Sequence, residues 1–148
     1  MRVYLDNCCL NRPFDDQRQA RIRMESEAVI IVLNRVEAGE VQWVSSDALR
    51  IEASRQPDND RRQRILALIA RADEHVFITN IVRERAIQVA KMSFTSYDAL
   101  HIACAENGKV DVLFTTDDRM IRKAAMHADA LHVNVLNPVK WVTADEGK

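Results

Sequence analysis

Short apolar runs that alternate with amphipathic stretches predict an α/β domain, a mostly parallel sheet with helices on both faces. Three observations carry this reading. The runs around Val3–Leu5, Val41–Val44, Val110–Phe114 and Val133–Leu136 are of strand length. The segments between them place apolar residues at helical spacing, and turn-forming residues punctuate the joins. At 148 residues the chain is long enough to bury one core without a disulfide or metal staple.

The elements follow in order. Val3-Tyr4-Leu5 reads as a buried strand stopping at Asp6 and feeding an irregular loop through Asn11-Arg12-Pro13. From Arg18 to Ala38, the positions Ile22, Val29, Val32, Leu33 and Val36 define a long amphipathic helix stopped by Gly39. A strand over Val41–Val44 leads to Ser45-Ser46-Asp47, which caps a helix carrying Leu49, Ile51 and Glu52 and ended by Pro57. Ile65, Leu68, Ile69 and Ala72 stripe a third helix. Ile81–Met92 reads as a fourth, and Thr95-Ser96-Tyr97-Asp98 opens a fifth that stops at Asn107-Gly108. Val110–Phe114 is a strand, Met120, Ile121, Ala124 and Ala125 mark a helix, and Val133–Leu136 is a last strand. The reading is of one domain over residues 1–143, with 144–148 as a flexible tail.

A formal net charge of -1 excludes a strongly basic surface as the basis of nucleic-acid binding. Sixteen of the 21 basic residues are arginine, whose planar fork suits phosphate oxygens and equally suits solvated helix faces. Arg61, Arg62 and Arg64 crowd the start of the third helix, the unfavourable end of its dipole. The three cysteines include the neighbours Cys8 and Cys9, which ordinary disulfide geometry does not join, and they form no zinc-type spacing; Cys104 reads as a small buried residue. The N-terminus enters an apolar strand directly, with no leader of secretory type and no membrane-length apolar run, so the expectation is a cytoplasmic protein without membrane contact. Trp43, Phe77 and Trp141 are candidates either for exposed contacts or for the core.

Four acids stand out: Asp6 at the end of a strand, Glu52 and Asp98 in helical segments, and Asp117 at the end of another strand. Each has an innocent reading. Asp6 begins an Asx-type turn, Asp98 is the acidic partner of Thr95 in a capping box, Asp118 is the same for Thr115, and Glu52 pairs with Arg55. Asp6 and Asp117 nonetheless leave strand ends, the side of a parallel sheet where ligands bind. Gathered together, the acids repel one another and destabilise the fold unless a cation lies between them.

The stretches Val3-Tyr4-Leu5-Asp6-Asn7, Ser46 to Glu52, Ser96-Tyr97-Asp98-Ala99-Leu100-His101-Ile102-Ala103 and Phe114-Thr115-Thr116-Asp117-Asp118-Arg119-Met120 resemble those of a PIN domain across nearly the whole chain. Leu10-Asn11-Arg12-Pro13-Phe14 is similar to a subgroup of small bacterial PIN proteins. The resemblance implies a PIN-like three-layer α/β/α fold and a Mg²⁺- or Mn²⁺-dependent endoribonuclease, commonly a toxin of the VapC type. It also implies an RNA substrate, a homodimer and a cognate antitoxin. Hard carboxylate oxygens agree, since they select Mg²⁺ or Mn²⁺ over zinc. In that scheme Asp6, Asp98 and Asp117 hold the ion directly or through water, and Glu52 helps bind it or orients the attacking water. Thr115-x-Asp117 fits the family spacing better than Asp118 does. Asn7, Arg12, Thr116 and Asp118 are candidates for supporting contacts, Arg12 with RNA phosphate. His101, one turn after Asp98, is assigned to the core or to support of the acids, while His75, His127 and His132 stay unassigned.

Rival chemistries fit less well. A haloacid-dehalogenase phosphatase wants an acid two residues after Asp6, where Cys8 stands. A P-loop is excluded because the three glycines are Gly39, Gly108 and Gly147. In a receiver domain Glu52 and Asp98 have no task. The alternative that stays open is a catalytically silent PIN fold that binds RNA or a protein partner.

Overall fold

The structure is a computed structural model and describes residues 1–146. Five parallel strands form one sheet: β1 (Arg2–Leu5), β2 (Gln42–Ser46), β3 (Glu74–Val76), β4 (Val112–Phe114) and β5 (Asn134–Leu136), in the order β3-β2-β1-β4-β5. The helices are α1 (Asn7–Asn11), α2 (Ala20–Glu37), α3 (Asp47–Ala53), α4 (Asn59–Ile69), α5 (Asn80–Ala90), α6 (Ser96–Asn107), α7 (Asp118–Met126) and α8 (Pro138–Glu146). This is the three-layer α/β/α architecture expected from the alternating pattern. Gly147 and Lys148, part of the expected tail, lie outside the described residues, while α8 continues through Glu146.

The chain builds outward from β1 through β2 to β3, then returns to lay β4 and β5 on the other side of β1. β1 is therefore the central strand, and Val3, Tyr4 and Leu5 are all fully buried, as a strand covered on both faces requires. Val3 sits opposite Trp43 on one side and Val112 on the other, and Leu5 opposite Phe114. The reversal of direction opens a crevice between the carboxyl ends of β1 and β4, the switch point where such sheets take ligands.

Three elements depart from the sequence reading. The expected loop after β1 is the short helix α1, because Asp6 caps it and Cys9 and Leu10 enter the core. β3 went unrecognised because only Val76 of its three residues is apolar and buried. It is held to β2 by Asp73, whose N–H donates to Trp43 O (2.9 Å) and whose carboxylate accepts from Trp43 N (2.8 Å). His75 adds a staple, with Nδ1 3.0 Å from Ser45 Oγ and Nε2 2.8 Å from Asp47 Oδ1. The third departure is α8. Its start is an Asn137 side chain that accepts from Val139 N (2.8 Å), followed by Pro138 in the first turn, where the missing N–H is not needed.

Helices α2 and α8 pack together, as do α5 and α6, and α3 packs on α6. Trp43 is buried at 1% exposure and so belongs to the core. Phe77 stays 65% exposed, and Trp141 packs edge-on against Phe114 at 5.2 Å. Gly39 follows α2 at φ +78°, a backbone that side-chain-bearing residues adopt at a cost. Gly108 ends α6 for a different reason: a Cβ there would come within 3.0 Å of Val44 Cγ1 and Val76 Cγ2.

One buried charge ties α2 to the rest. Glu25 is 1% exposed; its Oε1 accepts from Arg12 Nε (2.9 Å), and its Oε2 from Arg21 Nε (3.1 Å) and Asn137 Nδ2 (2.6 Å). Arg12 also donates to Asp15 (2.8 Å), which in turn accepts from Arg61 (3.0 Å). Removing the carboxylate takes one of the two acidic partners of Arg12 and leaves Asn137 Nδ2 without its acceptor, so Glu25→Ala is expected to cost about 3 kcal/mol. Urea unfolding measures this, and a loss under about 1 kcal/mol would show that the cluster is not a structural keystone.

Candidate active site

Three of the four acids stand at helix N-termini, and the local chain explains each. Asp6 ends β1 and N-caps α1: its Oδ1 accepts from Cys9 N (3.1 Å) and from the Cys8 thiol (2.9 Å). Asp117 follows β4 and N-caps α7, its Oδ1 accepting from Arg119 N (2.9 Å) and Met120 N (3.3 Å). Asp98 lies in the first turn of α6, where its N–H donates to the capping Thr95 hydroxyl (3.1 Å). The capping reading is thus real for Asp6 and Asp117. In both, Oδ1 takes the cap bonds, and at Asp6 the Thr115 side chain adds a further hydrogen bond that favours the charged form. The cap of α7 is Asp117 and not Thr115, whose hydroxyl instead accepts from Asp117 N (3.1 Å).

Burial and mutual charge shape this corner. Asp6 is buried, and loss of solvent pushes its pKa well above the ordinary carboxylate value. The half-buried Asp98 is also raised, first by burial, with a hydrogen bond from Thr95 opposing and the charge of Asp117 adding to the rise. Asp98 and Asp117 therefore lie within electrostatic reach of each other, and Cys8, bonded to Asp6, is within reach of Asp98. Asp117 itself is exposed. Among the described residues no three His, Cys, Asp or Glu side chains form a ready-made metal cage.

Glu52, half-buried on α3, meets His101 rather than following the expected pairing with Arg55. Its Oε1 lies 3.0 Å from His101 Nε2, while the Arg55 guanidinium sits over the Tyr97 ring at 5.5 Å. Behind the histidine runs a buried polar chain. His101 Nδ1 is 2.6 Å from the Tyr4 hydroxyl, which is 2.6 Å from Ser46 Oγ, which accepts from Leu49 N at 3.1 Å. The sequence placed His101 near the acids but gave Tyr4 only a core role. The available signal was a hydroxyl in an otherwise apolar central strand, which must find a partner when buried.

The supporting candidates divide. Thr116 is buried beside the site, and its N–H points to Cys8 Sγ at 3.5 Å. Asn7 opens α1 and accepts from Asn11 Nδ2 (3.1 Å). Arg12 is engaged by Glu25 and Asp15 within the fold. Asp118 is exposed and gripped by both terminal nitrogens of Arg21 (2.9 Å each), a pairing that holds its pKa below the ordinary value; Arg21 also reaches Thr116 O (3.1 Å). A groove of about 470 Å³ lined by Asp111, Ile121, His132 and Lys140 contains none of the four acids and lies apart from this chemistry.

Because Asp98 has a raised pKa in the folded protein, its contribution to stability is fully present below its ordinary value of 3.8 and is lost as pH rises through the folded value. In chelator, Asp98→Asn is therefore expected to melt a few degrees higher than wild type at neutral pH, with the gap closing as pH falls toward 4. A variant that melts lower than wild type across that range would show that the carboxylate is not strained.

The PIN domain family model matches residues 3–126. No curated protein matches the chain. Among solved structures, the crystal structure of VapBC2 from Rickettsia felis bound to a DNA fragment from their promoter is similar in fold. Its TM-score is 0.60 at 11% identity, covering 93% of this chain and 98% of that one. With the acids placed at the strand ends of a parallel sheet and the family model covering most of the sequence, the chain belongs to the PIN domain family.

Proposed function

We propose that this protein is a metal-dependent endoribonuclease that hydrolyses RNA phosphodiester bonds, the toxin of a toxin–antitoxin pair. The observation that carries the reading is the placement of Asp6, Asp98 and Asp117 at helix starts around the crevice between β1 and β4, in a chain of the PIN family. Family membership supports nuclease chemistry, and the similarity to the VapBC2 structure supports a protein partner for this chain. A homodimer and a cytoplasmic setting belong to the same proposal; among the described residues no helix is long and apolar enough to cross a membrane.

The donor set suits Mg²⁺ or Mn²⁺. All four side chains offer hard oxygen, the Asp98 carboxylate is destabilised by burial and by Asp117, and the cap bonds of Asp117 rest on one of its two oxygens. Mg²⁺ commonly keeps most of its waters and leans on one or two carboxylates and the substrate's phosphate. Such an ion supplies a water of lowered pKa and positive charge for the developing phosphorane. The protein's part is to fix the carboxylates. Helix N-termini orient Asp6 and Asp117, Thr95 seats the turn that carries Asp98, and Glu52, held by His101 on α6, would be the group that helps bind the ion or orients water. Asp117 takes the fourth acid position, since Asp118 is neutralised by Arg21.

One observation favours a silent binding module instead: Asp6 and Asp117 already perform capping work. Purified protein separates the two readings on single-stranded and structured RNA with Mn²⁺ or Mg²⁺. Cleavage is expected to stop in chelator, to return with added metal, and to fall by more than about 100-fold in Asp98→Asn. Cleavage that survives chelation, or an Asp98→Asn protein as active as wild type, defeats the nuclease reading; metal-independent RNA binding without turnover supports the silent module.

A further inference from the structure

We infer that His101 is a positioning residue for Glu52, keyed by Tyr4 and Ser46 so that its Nε2–H donor faces the carboxylate; this deepens the proposed nuclease reading and rests on it. Glu52 is a long side chain on a short helix, and nothing in α3 alone fixes its carboxylate. The structure supplies a buried clamp instead. His101 is 2% exposed, lies on α6 one turn beyond Asp98, and brings Nε2 to 3.0 Å from Glu52 Oε1. Its ring is seated edge-on against Tyr4 (5.7 Å) and stacked with Tyr97 (6.4 Å, 28°).

The chain behind the ring fixes its polarity. Leu49 N–H donates to Ser46 Oγ at 3.1 Å, Ser46 Oγ and Tyr4 OH lie 2.6 Å apart, and Tyr4 OH lies 2.6 Å from His101 Nδ1. Two proton arrangements satisfy all these contacts. In one, Ser46 donates to Tyr4 and Tyr4 donates to Nδ1. In the other, a doubly protonated ring donates from Nδ1 to Tyr4, and Tyr4 donates to Ser46, whose oxygen has room for a second donor. Nε2 carries a proton toward Glu52 in both. The remaining tautomer would set a bare nitrogen lone pair against a carboxylate. Four elements, β1, β2, α3 and α6, thereby converge to hold one carboxylate, the arrangement by which outer partners commonly orient acidic ligands.

The experiment is a double-variant cycle with a spectroscopic control. His101→Phe keeps the ring but removes both nitrogens, Tyr4→Phe removes only the key hydroxyl, His101→Gln restores a donor, and Glu52→Ala removes the recipient. Mn²⁺ affinity is read by electron paramagnetic resonance, RNA cleavage by single-turnover rates, and the metal-free His101 ring by ¹⁵N imidazole spectra. His101→Phe is expected to lose about 10- to 100-fold in Mn²⁺ affinity or cleavage, with a smaller loss in Tyr4→Phe and partial recovery in His101→Gln. In the Glu52→Ala background, His101→Phe is expected to cost nothing further, because the histidine acts through Glu52. The metal-free spectrum should show a protonated Nε2 whose signal shifts in Glu52→Ala. Additive losses, an Nε2 without a proton, or no recovery in a folded His101→Gln overturn the positioning role while leaving the nuclease reading intact. Wild-type protein that neither binds Mn²⁺ nor cleaves RNA overturns the nuclease reading, and this inference with it.

Discussion

The Asp6 N–H donates to Phe114 O at 3.1 Å, closing the ladder between β1 and β4 at the point where both strands end. The proposed site depends on that junction. Because the sheet reverses its build direction between these strands, no crossover helix is placed to cover the gap above them, and the residues that follow each strand project into it. Asp6 and Asp117 are those residues. A strand order without the reversal would leave the same aspartates under a helix, where their charge would be a liability.

The corner is costly to assemble, and the fold offsets that cost in two ways. Helix starts supply unpaired N–H groups and the positive end of a dipole, so the caps of α1 and α7 stabilise charge at Asp6 and Asp117. Glu52 is handled differently, through a hydrogen-bonded neighbour on α6. Asp98 is compensated through Thr95, whose hydrogen bond opposes the rise in its pKa, while burial and the charge of Asp117 leave its ionised form under strain. Asp6 and Asp98 both carry raised pKa values, so a bound cation would relieve both carboxylates.

How much of this was legible in the sequence follows from which signals are local. Periodicity located α2, α4, α5 and α6, and strand-length apolar runs located β1, β2, β4 and β5, because burial imposes those patterns directly. It failed for β3, where the bonds of Asp73 and the staple from His75 to Ser45 and Asp47 do work that apolar alternation does elsewhere. It also missed α8, although Asn137-Pro138 is a helix-start signal that can be read without any pattern. Gly108 was read as a helix stop, yet its φ is not left-handed; it stops α6 where Val44 and Val76 come too close for a side chain, which no single-chain pattern reveals. At the site, the element ends carrying Asp6, Asp98 and Asp117 were legible as motifs. The route from Ser46 through Tyr4 to His101 joins residues distant in sequence and was not.

The arginine-rich composition takes on a different meaning in three dimensions. Arg12 and Arg21 hold the buried Glu25, Arg21 also grips Asp118, Arg61 bridges Asp15 and Asn11, and Arg85 clasps Glu106. These guanidinium groups are used where planar, multi-pronged donors suit carboxylates held in fixed geometry. Arg12, which the sequence offered to an RNA phosphate, is part of this scaffold. With a formal net charge of -1 and these arginines committed to carboxylates of the fold, the chain has little uniform positive field to attract nucleic acid. In the proposed nuclease, recognition of RNA would then fall to the acids at the strand ends, where a substrate phosphate and a cation would meet at short range. Arg21 links the two systems: by joining Glu25 to Asp118 and the Thr116 carbonyl, it couples the packing of α2 to the turn that presents Asp117.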